Sequence, residues 1–232
     1  MITLTGNVVS IMGYEQLSFI EPSEEAKQQD FVTNVFRQLG STTRCLADRE
    51  ENDFYATDPL ATYLLCEKER FSSTVWEPCV GMGHIAEVLK QCGYNVKCSD
   101  IVDRGYVSGG VNLQDFLALD IADNKFDIVT NPPYKLASAF VKHALDISAD
   151  GVKVAMFLKI QFLESVERYA LFKEYPPKYV YVASKRLNCA RDGNFDKYTS
   201  SAMCYAWFVW VKGFNGEPTL RWINTVSDGD EE

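Results

Sequence analysis

The chain has 232 residues, 47 % hydrophobic and 24 % charged, proportions that suit one large globular domain able to bury its own core. Its net charge of −9 argues against a strongly basic, non-specific nucleic-acid binder, though a local basic surface would still serve a nucleic-acid enzyme. Seven cysteines without a C-x-x-C pair argue against a disulfide framework or a zinc site and fit a reducing cytoplasm, and no apolar run approaches the length of a membrane span.

Residues 1–50 read as an N-terminal arm holding one short helix. Ser23 is its candidate N-cap, and Ala26, Phe31, Val32, Val35 and Phe36 follow at roughly helical spacing. From Thr57 the pattern becomes regular. Thr57-Asp58-Pro59 opens a helix through Cys66, with Pro59 suited to the first turn. Ser73–Glu77 reads as a strand, Gly81-Met82-Gly83 as a turn and Ile85–Gln91 as a helix stopped by Gly93. A second strand covers Asn95–Ser99, and a third, Phe126–Thr130, halts at Asn131-Pro132-Pro133. The next helix places Leu136, Phe140, Ala144 and Ile147 on one face. Val152–Leu158 is an apolar strand of the kind buried on both faces. A helix over Gln161–Tyr175 is ended by Pro176-Pro177, and strands at Tyr179–Ala183 and Met203–Val211 complete the pattern. Alternating strands and helices predict a doubly wound α/β sheet. The last two strands are joined by a loop instead of a helix, which predicts that one of them runs antiparallel.

Three motifs carry chemistry. Glu77-Pro78-Cys79-Val80-Gly81-Met82-Gly83 links a strand to a helix, where glycines let a backbone approach a nucleotide; a tight strand–helix connection is an equal reading of Gly-x-Gly alone. Asp100 ends the next strand, where an acid can accept both hydroxyls of a ribose; a turn aspartate is the plainer alternative. The tetrad Asn131-Pro132-Pro133-Tyr134 stands at a strand end, where open α/β sheets carry their sites, and a chance match in a chain of this size is roughly one in a thousand. An exocyclic amino nitrogen is a weak nucleophile because its lone pair is delocalised into the ring. The Asn131 side-chain oxygen can accept one of its hydrogens and the Pro132 carbonyl the other. Pro133 helps stiffen the turn that aims them, and Tyr134 offers a face for stacking a base.

With these residues the sequence resembles the class I amino-methyltransferases, whose Glu-Pro-x-x-Gly-x-Gly loop precedes an Asn-Pro-Pro-Tyr motif. From Asn52 to Ile223 it is similar to the compact N6-adenine DNA methyltransferases encoded by phages and prophages. The resemblance implies a Rossmann-like fold over residues 51–225: a seven-stranded, mostly parallel sheet with one antiparallel strand and helices on both faces. Residues 226–232 would be an acidic tail. It implies S-adenosylmethionine as cofactor, adenine N6 in DNA as acceptor with RNA as second choice, and no metal or membrane. Tyr55 and Thr57, in a segment similar to Phe-Tyr-x-Thr-Pro, would hold the cofactor's methionine carboxylate, although Asp58 is inserted before Pro59. Glu77, Pro78, Gly81 and Gly83 would form the cofactor loop. Asp100 would take the ribose and Ile101 would lie beside the cofactor's adenine. Asp115 would bind that adenine's amino group, with Phe116 packed on its ring; a loop aspartate before a core phenylalanine is the alternative.

The stretch from Lys185 to Ser201 gathers Lys185, Arg186, Arg191, Phe195 and Lys197 into the best basic–aromatic patch of an acidic chain. It reads either as a contact to phosphates and an extruded base or as a solvated loop. Tyr205, Trp207, Phe208 and Trp210 fit core packing better than base stacking. Protein-glutamine methyltransferases share the tetrad, so an amide acceptor remains open, as does a non-catalytic binding module.

Overall fold

The computed structural model describes residues 23–39, 55–108, 110–187, 189–191, 193, 195 and 203–223. Ser23 caps helix α1 (Glu24–Leu39), its hydroxyl accepting the Ala26 N–H at 3.2 Å. Phe31 of α1 meets Tyr63 of α2 (Pro59–Lys68) with ring centres 4.6 Å apart. The N-cap of α2 is Asp58, whose carboxylate accepts the Leu60 N–H at 3.0 Å. The inserted residue therefore closes the open end of a helix, and Pro59 takes the first-turn place expected of it.

Strands β2 (Thr74–Glu77), β3 (Asn95–Asp100), β4 (Asn112–Leu113), β5 (Asp127–Thr130), β6 (Lys153–Lys159), β7 (Tyr179–Ala183), β9 (Tyr205–Val211) and β10 (Thr219–Ile223) form one sheet in the order β10-β7-β9-β6-β5-β2-β3-β4. All neighbours are parallel except β9, which runs antiparallel to both β6 and β7. The antiparallel strand is thus as expected, while the sheet has eight strands where seven were. β4 and β10 are the two strands not read from the sequence; β10 pairs with β7 along its outer side, and four of its five residues are exposed.

Each inner strand is buried on two faces. Along β9, Trp207 and Val209 join a cluster with Leu64 and Leu65 of α2 and Leu89 of α3 (His84–Gln91). Ala206, Phe208 and Trp210 point the other way, into a cluster with Phe140, Val141 and Leu145 of α4 (Ala137–Asp146). Helices therefore cover both faces, and the aromatics of β9 are core, as expected. Two indoles keep hydrogen-bond partners: Trp207 Nε1 donates to the Ala61 carbonyl at 2.8 Å and Trp210 Nε1 to that of Tyr175 at 3.0 Å. Burial of each such side chain contributes several kcal/mol, about 25 cal/mol per Å² of apolar surface.

Two local expectations give way. The helix over Gln161–Tyr175 is broken: a single 3-10 turn covers Ile160–Leu163, and α5 spans Val166–Glu174. Ser165 starts α5 by accepting the N–H groups of Glu167 and Arg168, and Arg168 Nε donates back to the Phe162 carbonyl at 2.7 Å. Cap and guanidinium thus satisfy polar groups that a continuous helix would have paired internally. Secondly, Tyr55–Thr57 is a short strand, β1, antiparallel to β8 (Cys189–Arg191), in a separate two-stranded ribbon. Lys197 and the acidic tail lie outside the described residues.

Candidate active site

The chain runs outward from β2 through β3 to β4, then returns to β5 on the other side of β2. Such a reversal splays the loops after the two central strands and leaves a crevice at the carboxyl edge. A cleft of about 350 Å³ lies there. Its walls come from the loop after β2 (Pro78, Cys79, Val80), the end of β3 (Asp100, Ile101), the turn at Asp115–Leu117, Asn131-Pro132-Pro133 after β5, and Tyr55–Thr57 of the ribbon.

The ribbon fixes the tetrad. The Asn131 amide nitrogen donates to the Tyr55 carbonyl at 2.9 Å and to the Thr57 hydroxyl at 3.0 Å. A carbonyl can only accept, so the amide has one orientation. Its Oδ1 is consequently turned away from the ribbon, enclosed, and without any hydrogen-bond partner. An enclosed acceptor left unmatched is costly, and it is the atom the sequence reading assigned to an incoming amino group. Pro132 is buried and Pro133 half-buried, both lining the cleft.

Tyr134 does not line that cleft. Its ring lies beside it, tilted against Tyr55 at 5.6 Å and Tyr205 at 5.8 Å. The hydroxyl is 3.2 Å from the Cys189 thiol, which is also 3.9 Å from the Asn131 amide nitrogen. Burial first, then these neighbours, hold the Tyr134 phenol well above its ordinary pKa, and burial pushes the Cys189 thiol up to about 12. Both are neutral hydrogen-bonding groups near pH 7. Sequence reasoning missed Cys189, because a strand pairing between residues this far apart has no local signature.

Glu77, at the end of β2, is 1 % exposed, and its Oε2 has no partner. Burial and the nearby charge of Asp100 raise its pKa well above the carboxylate range. Asp100 itself accepts the Gly81 N–H at 2.8 Å on one oxygen and the Val102 N–H at 3.0 Å on the other. It therefore ties the glycine loop to the strand end, as a turn aspartate does, with remaining lone pairs on the cleft wall.

The glycine loop is present, and the packing of this chain accounts for one of its glycines. Gly83 has φ +88°, and a Cβ there would overlap the Tyr106 ring. Neither Gly81 nor Gly83 lines the cleft; Met82 and His84 do. His84 is buried, which lowers its pKa to about 4.

Phe116 is 2 % exposed and stacks on Phe140 at 5.1 Å, with Trp76 edge-on at 5.3 Å. It is the core phenylalanine of the plainer alternative, and it also lines the cleft. Asp115 caps the turn by accepting the Leu117 N–H at 3.0 Å. Ile101, 58 % exposed, presents apolar surface to the cleft.

Of the basic–aromatic patch, Lys185 and Arg186 are exposed after β7. The backbone of Arg191 is held in β8. Phe195 packs on His84 with ring centres 5.6 Å apart, and a Cβ on Gly193 would touch Met82. Part of this stretch therefore lies against the loop between β2 and α3 instead of standing free in solvent.

No protein-family model matches the sequence, and no curated protein matches it. Solved structures do resemble it. A proposed RNA methyltransferase from Pyrococcus horikoshii superimposes with a TM-score of 0.58 over 80 % of this chain and 98 % of that one, at 11 % identity. A proposed class I S-adenosylmethionine-dependent methyltransferase from Listeria monocytogenes gives 0.53 over 91 % and 76 %, at 12 % identity. The methyltransferase subunit of a type I restriction-modification system from Streptococcus thermophilus also gives 0.53, over 78 % of this chain and 49 % of that one, at 14 % identity. The chain has the class I methyltransferase fold.

S-adenosylmethionine is the cofactor expected of a class I methyltransferase fold, and the cleft residues fit it. Its α-ammonium matches the unpartnered Oε2 of Glu77, its ribose matches the edge held by Asp100, and its purine matches the exposed apolar surface of Ile101. Among the described residues no group of His, Cys, Asp and Glu could hold a metal ion, and no helix is long and apolar enough to cross a membrane.

Proposed function

We propose that this protein transfers the methyl group of S-adenosylmethionine to a planar exocyclic amine, N6 of adenine in DNA. The observation that carries the reading is the Asn131 amide: locked by two donated hydrogen bonds, it offers an enclosed, unmatched oxygen beside the cleft. On this reading Oδ1 accepts one amino hydrogen, and the Pro132 carbonyl the other. Hydrogen bonding of both hydrogens localises the nitrogen lone pair toward the methyl group. The cofactor supplies an electrophilic methyl on sulfur. The remaining acceleration comes from holding the amine in line with it, a positioning effect that needs neither metal nor covalent intermediate.

Glu77 has a second part in this scheme. Burial and the charge of Asp100 raise its pKa in the free protein, which shifts the carboxyl toward its neutral form. An ammonium beside it favours the charged form and draws that pKa back down. The choice of adenine in DNA rests on the family resemblance of the tetrad and the Tyr55–Thr57 segment.

The test is methyl transfer from labelled S-adenosylmethionine to DNA, RNA and glutamine-containing peptides, followed by nucleoside analysis. N6-methyladenine in DNA is the expected product. Label appearing only in peptide, or in no acceptor while the cofactor still binds, overturns the reading.

A further inference from the structure

The aromatic wall beside the cleft holds a group that this scheme leaves unused. Lys159 is the last residue of β6, paired in register with Tyr205 of β9 and adjacent to the strand that delivers the tetrad. It is half-buried, and its ammonium stands over the Tyr134 ring, 4.8 Å from the ring centre. Among the described residues it forms no ion pair and no hydrogen bond. Nor does it line the cofactor cleft.

Such a placement needs a reason. Among the described residues no carboxylate is set against this half-desolvated cation. The quadrupole of one aromatic face is its recorded partner. A base stacked on Tyr134 would have its ring centre about 4.5–7 Å from that of the tyrosine, the region the ammonium now fills. The base and the ammonium cannot share the face. As a base arrives the lysine must swing off on its flexible stem, and it then needs a new counter-charge. A nucleotide brings one with it, its own phosphodiester; a glutamine side chain brings none.

We propose that Lys159 is a substrate-binding residue that covers the stacking face of Tyr134 in the free protein and pairs with a phosphate of the target nucleotide when the base takes that face. The proposal rests on the nucleic-acid reading above. It makes base stacking and phosphate capture one exchange, in which the site gives up a cation–π contact and gains an ion pair.

The experiment is a salt titration of binding to a short adenine-containing oligonucleotide, with S-adenosylhomocysteine saturating, for the wild type, Lys159→Gln, Lys159→Arg and Lys125→Gln. Lys125 lies before β5, at the opposite edge of the sheet, in an exposed pair with Asp123, and controls for loss of one charge. Removing one phosphate contact lowers the slope of log affinity against log salt by about 0.7–0.9 and weakens binding on the order of tenfold near 0.1 M salt. We expect that change in Lys159→Gln, with the slope retained in Lys159→Arg and in Lys125→Gln. Equal slopes for Lys159→Gln and the wild type, or the same drop in Lys125→Gln, would overturn the role of Lys159. Methyl transfer to nucleic acid by the wild type separates the two ideas. If it occurs and Lys159→Gln behaves as wild type, only the lysine proposal fails; if the wild type modifies peptide alone, the functional reading fails first.

Discussion

Replacing Asn131 by alanine removes two things that the structure allows to be weighed separately. The lost Nδ2 leaves the Tyr55 carbonyl and the Thr57 hydroxyl without their donor, and Thr57 is 2 % exposed. Each buried group left unsatisfied costs about 1–3 kcal/mol, so the ribbon should loosen by roughly 2–6 kcal/mol in all. At about 2–4 °C per kcal/mol for a chain of this size, Tm should fall by roughly 4–24 °C. The lost Oδ1 acts on the reaction instead. Removing one preorganised polar partner of a transition state costs on the order of 100- to 1000-fold in kcat. Single-turnover transfer of labelled methyl, measured well below the variant's Tm, reads the second effect without the first. Calorimetry with S-adenosylmethionine should show cofactor affinity retained. Transfer within about threefold of wild type would refute the role of Oδ1, as would a folded variant that no longer binds cofactor.

Three further outcomes test the scaffold. His84, with a pKa lowered by burial to about 4, is neutral in the folded chain. Its contribution is whole above the unfolded value near 6.5 and is lost as pH falls toward 4, by up to roughly 3 kcal/mol. His84→Asn should flatten the fall of Tm between pH 7 and 4, and a wild-type-to-variant difference constant across that range would contradict it. Gly83→Ala combines left-handed strain with overlap on Tyr106 and should cost about 2–5 kcal/mol in denaturant melts; a change below about 1 kcal/mol would mean that Tyr106 yields. Asp58→Ala should lose about 1 kcal/mol and a few degrees of Tm from the α2 cap; an unchanged Tm would contradict the capping role.

Much of the sheet was legible because strands buried on two faces are short apolar runs with sharp ends. Phe126–Thr130 and Val152–Leu158 stand out in any window, and Pro132 marks where β5 must stop. The start of α1 was legible because its capping side chain, Ser23, stands just before the helical run. The break at Ser165 was not, because the residues on both sides keep a helix-compatible spacing and only the cap and Arg168 decide between one helix and two. The β1–β8 ribbon was illegible for a different reason: Tyr55 and Arg191 meet only through tertiary pairing. The residues that such contacts bring to the tetrad, Cys189 and Lys159, were missed with it. Gly83 was found but its packing against Tyr106 was not, since a glycine required by a neighbouring tyrosine looks the same in sequence as one required by a ligand.

The place of β9 has a consequence for how the chain comes into being. It is made after β6 and β7, yet it stands between them. While the polypeptide emerges from the ribosome, β7 cannot join the sheet when it is synthesised; it must wait for Tyr205–Val211 to pass back and fill the gap. The same strand brings Tyr205 against Tyr134, and the segment just before it brings Cys189 to the Asn131 amide. A nascent chain therefore acquires its Glu77–Gly83 loop early and its ordered tetrad late, so that the site proposed for methyl transfer is complete only once the sheet has closed.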